Sequence, residues 1–383
     1  MKVVIIGAGL TGSAAARQLA DSGYKVTIYE KKPNVGGSVY DFLNRDGAYT
    51  HLYGPHIFHT NSQKAYEFIS RFGKWNEYRH KVLAKIKDCL CPLPFNFLSI
   101  DLCFDLGTAA LYKNKLSAKY GSNSTVTIGE LISDTDDDLK NLADFVYENV
   151  FLHYTQKQWG MSPHELGGDV MKRVPIRVSY EDGYFNDKYQ LIPEEGYTKV
   201  IESILSHKNI TVVCDYDADR HISIEDNLLL WDGQAIDYPF IYTGCPDKLF
   251  DYRFGELPYR SLRFDFSEVE WQFQPVSVVN YPNEHDYTRI TEFGHFYPGR
   301  NYKTSTLLYE YPCEYKISSE LEPYYPIPNT QNDALYLKYA DLACCIPNLY
   351  LAGRLGSYKY INMDAAVLNG LTIAGHAANS LSS

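Results

Sequence analysis

The 383-residue chain contains no apolar run long enough to span a bilayer. It also lacks a secretory core, because only Val3 to Ile6 precede Gly7 and no small-residue cleavage site follows. Positive charge is in deficit, with 36 Lys and Arg against 47 Asp and Glu and a formal net charge of -11. That balance argues against nucleic acid as a partner, while local basic clusters can still hold phosphates. Cysteines number only eight, and the nearest pairs, Cys89/Cys91 and Cys344/Cys345, have no second pair or His at zinc-site spacing. No metal is therefore expected, and the thiols read as reduced, mostly buried and cytosolic. Internal repeats and low-complexity linkers are absent, so the length reads as two or three domains with ample core.

What the chain has in excess is tyrosine, 34 residues of it. A phenol ring offers an apolar face and one polar tip, which suits sugar and base contacts as well as half-buried packing. Residues 2–7, KVVIIG, read as a buried parallel strand; a helix follows from Gly12 to Ala20 with Gly23 as its stop, and 25–30, KVTIYE, is a second strand. This is a βαβ unit. Residues 80–190 read as mostly helical, with Asp134 to Asp138 as a solvated acidic turn. A helix at 198–206 and strands at 211–214 and within 227–244 follow. The alternation over 259–311 predicts antiparallel sheet, and the chain closes with a strand at 349–353 and a helix at 363–380. The fold class is α/β, with a nucleotide-binding half returning three times along the chain.

Gly7, Gly9 and Gly12 form G-x-G-x-x-G between the first strand and its helix. Such glycines permit a tight turn, close approach of a pyrophosphate and close helix packing. The helix N-terminus at Leu10 and Thr11 then offers free N–H groups to the phosphates. Glu30 ends the second strand, where a carboxylate can accept from ribose hydroxyls. Gly36 and Gly37 follow Lys31, and this E-x(5)-GG pattern resembles the FAD-binding glutathione-reductase-like (GR2) class, which favours FAD over NAD. A late strand-to-helix junction, LAGRLGSYKYINMDAA, matches the helix that such flavoproteins aim at the flavin ring. Val213, Gly353, Arg354, Asn362 and Met363 complete the expected cofactor set.

Longer blocks are more specific. YGPHIFHTN at 53–61, TQKQWG at 155–160, KRVPIR at 172–177, GYFNDKYQLIPEEGYTKVIE at 183–202 and FDYRFGELPYRSL at 250–262 resemble the UDP-galactopyranose mutase family. So do YTG at 242–244, YTRI at 287–290, EYP at 310–312 and GRLGSYKY at 353–360, in family order from end to end. The resemblance implies a FAD-binding Rossmann-like (GR2-type) domain over 1–79, 195–245 and 312–383. It implies an inserted helical bundle over 80–180 with a mobile loop near 165–180, and an antiparallel β-sheet domain over 181–194 and 246–311. It further implies a noncovalent FAD, reduced by NAD(P)H or another reductant, that acts as a nucleophile toward the anomeric carbon with no net redox change. A nucleotide-sugar substrate and a homodimer are implied as well.

By the same resemblance Arg173 and Arg289 hold the diphosphate, with Arg177 in the same block as Arg173. Tyr154 and Trp159 stack on the base, Tyr184 and Phe185 flank it or the phosphates, and Tyr311 and Tyr360 donate to phosphate oxygens. His56 and His59 lie beside the flavin and shuttle protons, and Arg354 stabilises its reduced form. Departures gather at the sugar end: Pro55 replaces Ala, His80 replaces a sugar-contacting Asn, Asn362 replaces Asp, and Ser357 replaces Glu. They motivate an alternative, a mutase of another sugar nucleotide such as dTDP-fucopyranose. A flavin amine-oxidase-like oxidoreductase and a non-catalytic flavin sensor are more distant alternatives, neither of which accounts for the longer blocks.

Overall fold

The computed structural model describes every residue except 46, 164, 167–174, 318–320 and 381–383. The expected βαβ unit is present as β1 (Lys2–Ile6), α1 (Leu10–Asp21) and β2 (Lys25–Tyr29). β1 and β2 pair in parallel at the centre of a five-stranded sheet. Strand Ile210–Val213 lies outside β2; Phe240–Tyr242 and then Leu349–Leu351 lie beyond β1, all parallel. Parallel strands are covered on both faces, which explains their unbroken apolar runs. On one face α1 packs on helices Met363–Ser380 and Tyr197–Leu205, burying Val3, Ile5, Ile28 and Ile204. On the other, Val4, Phe240 and Tyr242 pack with Tyr339 of helix Thr330–Cys344 and with Leu229 of a small meander.

A second sheet has seven strands. Its long central pair, Tyr259–Glu270 and Thr304–Glu314, is antiparallel through eleven registered residue pairs. Arg289–Glu292, Val278–Asn280, Val82–Ile86 and Cys89–Leu93 extend it on one side and Tyr325–Pro326 on the other. The helical segment runs from Phe97–Cys103 to His153–Trp159. Its starts carry side-chain caps: Asn96, Asp105, Thr127 with Glu130 in a capping box, and Asp136. Such caps each contribute about 0.5–2 kcal/mol. Ile100, Leu116, Leu131, Leu142 and Val146 pack against Val82, Ala84 and Ile86, so helices and sheet share a core.

Several expectations need correction. Residues 82–93 are not helical: they form a hairpin whose first strand pairs in parallel with Val278–Asn280. Strand Tyr189–Pro193 pairs with Phe58–Thr60 and Trp75–Glu77 in a separate three-stranded sheet, not with the large sheet. The boundary drawn after residue 311 falls inside strand Thr304–Glu314. The acidic run is no solvated loop, because Asp134 is buried against Lys119 and Tyr120 and Asp136 caps the next helix. All eight thiols are free, but only Cys91 is fully buried.

Candidate active site

A long cavity opens where the parallel sheet ends. Gly7, Gly9, Leu10, Thr11, Gly12, Glu30, Lys31, Gly36, Gly37, His56, Gly353, Arg354, Asn362 and Met363, all expected cofactor residues, line it. Gly12 is dictated by packing, since a Cβ there would lie 2.0 Å from the Gly7 carbonyl oxygen. Gly9 is different: among the described residues the nearest atom its Cβ would meet is Gly37 Cα at 3.9 Å, and Gly9 lines the cavity, so space for a ligand remains before it. Gly9 is also the N-cap of α1 and has no side chain to satisfy the first N–H groups. The Glu30 carboxylate takes the Ala8 N–H at 2.8 Å and the Lys32 N–H at 3.0 Å, which fixes it at the cavity wall with lone pairs remaining. Val213 is not at the wall; its carbonyl accepts the Glu30 N–H at 2.9 Å and positions the acid from behind. Uncapped helix, glycine opening and fixed acid fit a dinucleotide with a central pyrophosphate.

Sequence reading missed several wall residues: Lys32, Tyr53, Tyr216, Thr243, Glu322 and Tyr324. Lys32, Tyr53 and Thr243 fall in or beside blocks already singled out, whereas Tyr216, Glu322 and Tyr324 come from distant segments that no local spacing marks. Lys32 donates to Tyr53 at 2.8 Å and pairs with Glu322 at 3.3 Å.

At the other end of the cavity His56 meets a second set of side chains. Its Nδ1 lies 2.8 Å from the Gly54 carbonyl, which can only accept, so Nδ1 carries the proton. Burial, and then the Arg354 charge, push His56 down to about 4. The ring is thus neutral near pH 7 and its Nε2 is an acceptor, not an acid. The His56 N–H itself donates to Nδ1 of buried His51 at 3.0 Å. Arg354 donates to the Ile361 carbonyl at 3.1 Å and lies 5.2 Å from the Tyr360 ring.

Beside His56 lies Arg289, directly across the sheet from Glu310. The two approach at 3.4 Å through Arg289 Nε and Glu310 Oε2, and among the described residues neither Arg289 Nε nor Glu310 Oε1 has a well-formed hydrogen bond. Burial pulls the guanidinium down, but the Glu310 carboxylate together with Tyr154, Tyr325 and Tyr184 outweighs it and holds Arg289 well above its ordinary value. Tyr154, Tyr184 and Tyr325 surround this cation. Burial pushes Tyr154 up to about 12, which keeps its phenol a donor. Tyr325 also touches Trp159, at 6.1 Å between rings, and Tyr360, at 5.7 Å.

His80 is buried at the same place, against Tyr184 and Phe185, and burial, then Arg289, push it down to about 3. His59 pairs through Nδ1 with Asp187 at 2.8 Å and stacks on Phe185 at 3.7 Å. The Phe185 ring is therefore engaged by two imidazoles and does not stand free to take a base.

Other expected residues lie elsewhere. Tyr311 follows Glu310, and strand alternation sends it to the opposite sheet face, over Arg263 at 4.0 Å and beside Tyr287. Tyr325 occupies the place beside Arg289 that the sequence reading gave to Tyr311. The Arg177 guanidinium is taken up by the Gly183 and Tyr184 carbonyls and the Asn186 amide, so it braces a loop. The Ser357 hydroxyl donates to the Gly353 carbonyl at 2.5 Å. Arg173 falls outside the described residues.

Fold and site together define a protein with a Rossmann-type dinucleotide cavity, and near it a cluster of tyrosines around Arg289. The sequence profile of UDP-galactopyranose mutase matches residues 149–360, and that of the NAD(P)-binding Rossmann-like domain matches 5–72. A probable UDP-galactopyranose mutase of Klebsiella pneumoniae is 33% identical across 99% of this chain and 95% of its own. A dTDP-fucopyranose mutase of Escherichia coli is 33% identical across 97% of both chains, and a UDP-galactopyranose mutase of Mycoplasma genitalium 35% across 96% and 92%. A crystal structure of reduced UDP-galactopyranose mutase shares the fold at a TM-score of 0.73 and 18% identity, covering 99% of this chain and 95% of its own. The chain belongs to the UDP-galactopyranose mutase family; it is a mutase, with a flavin cofactor and a nucleotide-sugar substrate.

Proposed function

We propose that the chain interconverts the pyranose and furanose forms of UDP-galactose. The observation that carries this reading is Arg289, fixed by Glu310 among the phenols of Tyr154, Tyr184 and Tyr325 and close to the cavity residue His56. A cation so placed suits a diphosphate leaving the anomeric carbon, where negative charge grows as the bond breaks. Bound and reduced, FAD supplies a nucleophilic ring nitrogen for that carbon without net change of redox state.

The chain's residues do the rest. Arg289 binds the diphosphate and holds it near for return, while Glu310 fixes the guanidinium. Tyr154, Tyr184, Tyr325 and Tyr360 donate to phosphate oxygens, and Trp159 with Tyr154 offers flat faces to the uracil. Neutral His56 accepts through Nε2 and orients a hydroxyl or the cofactor edge. The His59–Asp187 pair is the better candidate to hold and return a proton during ring opening and closure. Free thiols favour a reducing compartment and hence a cytosolic enzyme.

A second reading, a dTDP-fucopyranose mutase, is favoured by the neutral sugar end: Asn362 at the cavity wall and uncharged His80. Relatives of both kinds stand at the same 33% identity. Dithionite-reduced holoenzyme incubated separately with each furanose nucleotide, with chromatography of the products, decides it. Turnover of the UDP sugar alone or preferentially supports the first reading; preference for the dTDP sugar replaces it with the second; conversion of neither defeats both.

A further inference from the structure

The K-Q-W-G block contains a lysine that the proposed chemistry leaves unused. Lys157 sits between Tyr154 and Trp159 on helix His153–Trp159. Its ammonium donates to four backbone carbonyls, those of Tyr281 at 2.5 Å, Tyr287 at 3.2 Å, and Glu284 and His285 at 3.3 Å each. An ammonium has three hydrogens, so these oxygens take the place of its water shell. All four belong to the loop that joins strand Val278–Asn280 to strand Arg289–Glu292.

The helix is tied down at two further points. Arg260 donates to the Gln158 carbonyl at 3.0 Å and the Lys157 carbonyl at 3.1 Å, which the helix C-terminus leaves without partners. Gly160 follows with φ +66°, and a Cβ there would lie 2.8 Å from Arg260 Nη1, so the glycine that ends the block admits the arginine. Arg260 is in turn the registered neighbour of Tyr325. His153 Nδ1 lies 2.9 Å from Asn283 Oδ1, and Asn283 donates to the Asn149 carbonyl at 2.9 Å, again on the loop before Arg289.

Resting on the nucleotide-sugar reading above, we infer that Lys157 is a positioning residue for the nucleotide: it clips the loop before Arg289 to the helix bearing Tyr154 and Trp159, and so sets the gap between the aromatic wall and the diphosphate cation. A side chain that only supported the fold would matter equally to flavin and substrate. A clip between two walls of the substrate site acts on the substrate alone, because none of its partners lines the flavin cavity.

The test titrates UDP into oxidised holoenzyme, wild type against K157M and K157R, with flavin content and absorbance measured on each. K157M is expected to weaken UDP binding and raise KM about tenfold, with kcat at saturation within about threefold and the flavin spectrum unchanged. K157R, whose guanidinium can still donate to the carbonyls, is expected to recover most of the loss. UDP binding by K157M within about twofold of wild type overturns the inference, as does parallel loss of flavin and UDP. Should K157M not fold, N283A carries the test through the neighbouring tie: weaker UDP binding with flavin retained supports the clip, and unchanged UDP binding overturns it. Wild-type holoenzyme that binds no UDP would instead defeat the nucleotide-sugar reading, and this inference with it.

Discussion

Around the dinucleotide cavity much of what faces the ligand is main chain: the uncapped start of α1, the open side of Gly9 and the turn at Gly36 and Gly37. Around Arg289 it is side chains, brought from a helix at Tyr154, a loop at Tyr184, two sheet strands at Arg289 and Glu310, and an edge strand at Tyr325. Main chain is positioned by local conformation, which short spacings in a sequence specify. Side chains from five separate segments meet only through tertiary register. The cradle should therefore fail through steric changes of one atom, and the substrate site through loss of charge and hydrogen bonds.

The largest effect is expected at Arg289. R289A leaves Glu310 as an unpaired buried acid and removes the cation from the leaving group, and should lower kcat/KM by about a thousandfold or more while flavin absorbance persists. Loss of flavin in that variant would break the separation between the two regions. The converse is G12V, whose Cβ would run into the Gly7 carbonyl. Its flavin occupancy after gel filtration should fall on the order of tenfold, since overpacking at a fixed backbone contact forces the cradle to shift.

Acid should strike the side-chain half. The folded state holds His80 down to about 3, below its ordinary 6.5. Between those values the unfolded chain binds more protons, so the stability tied to neutral His80 is complete above about pH 6.5 and is lost as pH falls. The loss is on the order of 2 kcal/mol at pH 5, and H80N should shrink the difference in urea midpoint between pH 7.5 and pH 5. Smallest is a paired comparison that tests the corrected tyrosine. Y325F should raise KM for the nucleotide sugar about tenfold and Y311F less than about twofold, because only the Tyr325 phenol lies beside Arg289.

The same contrast explains what the sequence made legible. The βαβ unit, both glycine turns, Glu30 and the junction at Gly353 to Met363 are contiguous patterns with local causes, and they fall where expected. Arg289, Tyr154, Tyr184 and Tyr360 were placed by resemblance and do converge. Tyr311 and Tyr325 both lie on strands of one sheet, and only the combined register of four strands, Arg289 with Glu310, Glu310 with Phe264 and Arg260 with Tyr325, relates each tyrosine to the Arg289 face. The partners of Phe185 and Ser357, His59 with His80 and the Gly353 carbonyl, are visible only in the fold. The hairpin at Val82–Ile86 and Cys89–Leu93 was absorbed into a helical stretch, since two five-residue apolar runs give no decisive period.

The most direct measurement follows sugar isomerisation by one holoenzyme preparation with its flavin oxidised and then reduced, with electron uptake recorded in parallel. A nucleotide-clamping mutase should convert furanose to pyranose only when reduced, through many turnovers on a single reduction and without consuming oxygen under anaerobic-to-air comparison beyond flavin reoxidation. Equal rates in both states, or one electron pair consumed per sugar converted, would contradict the account.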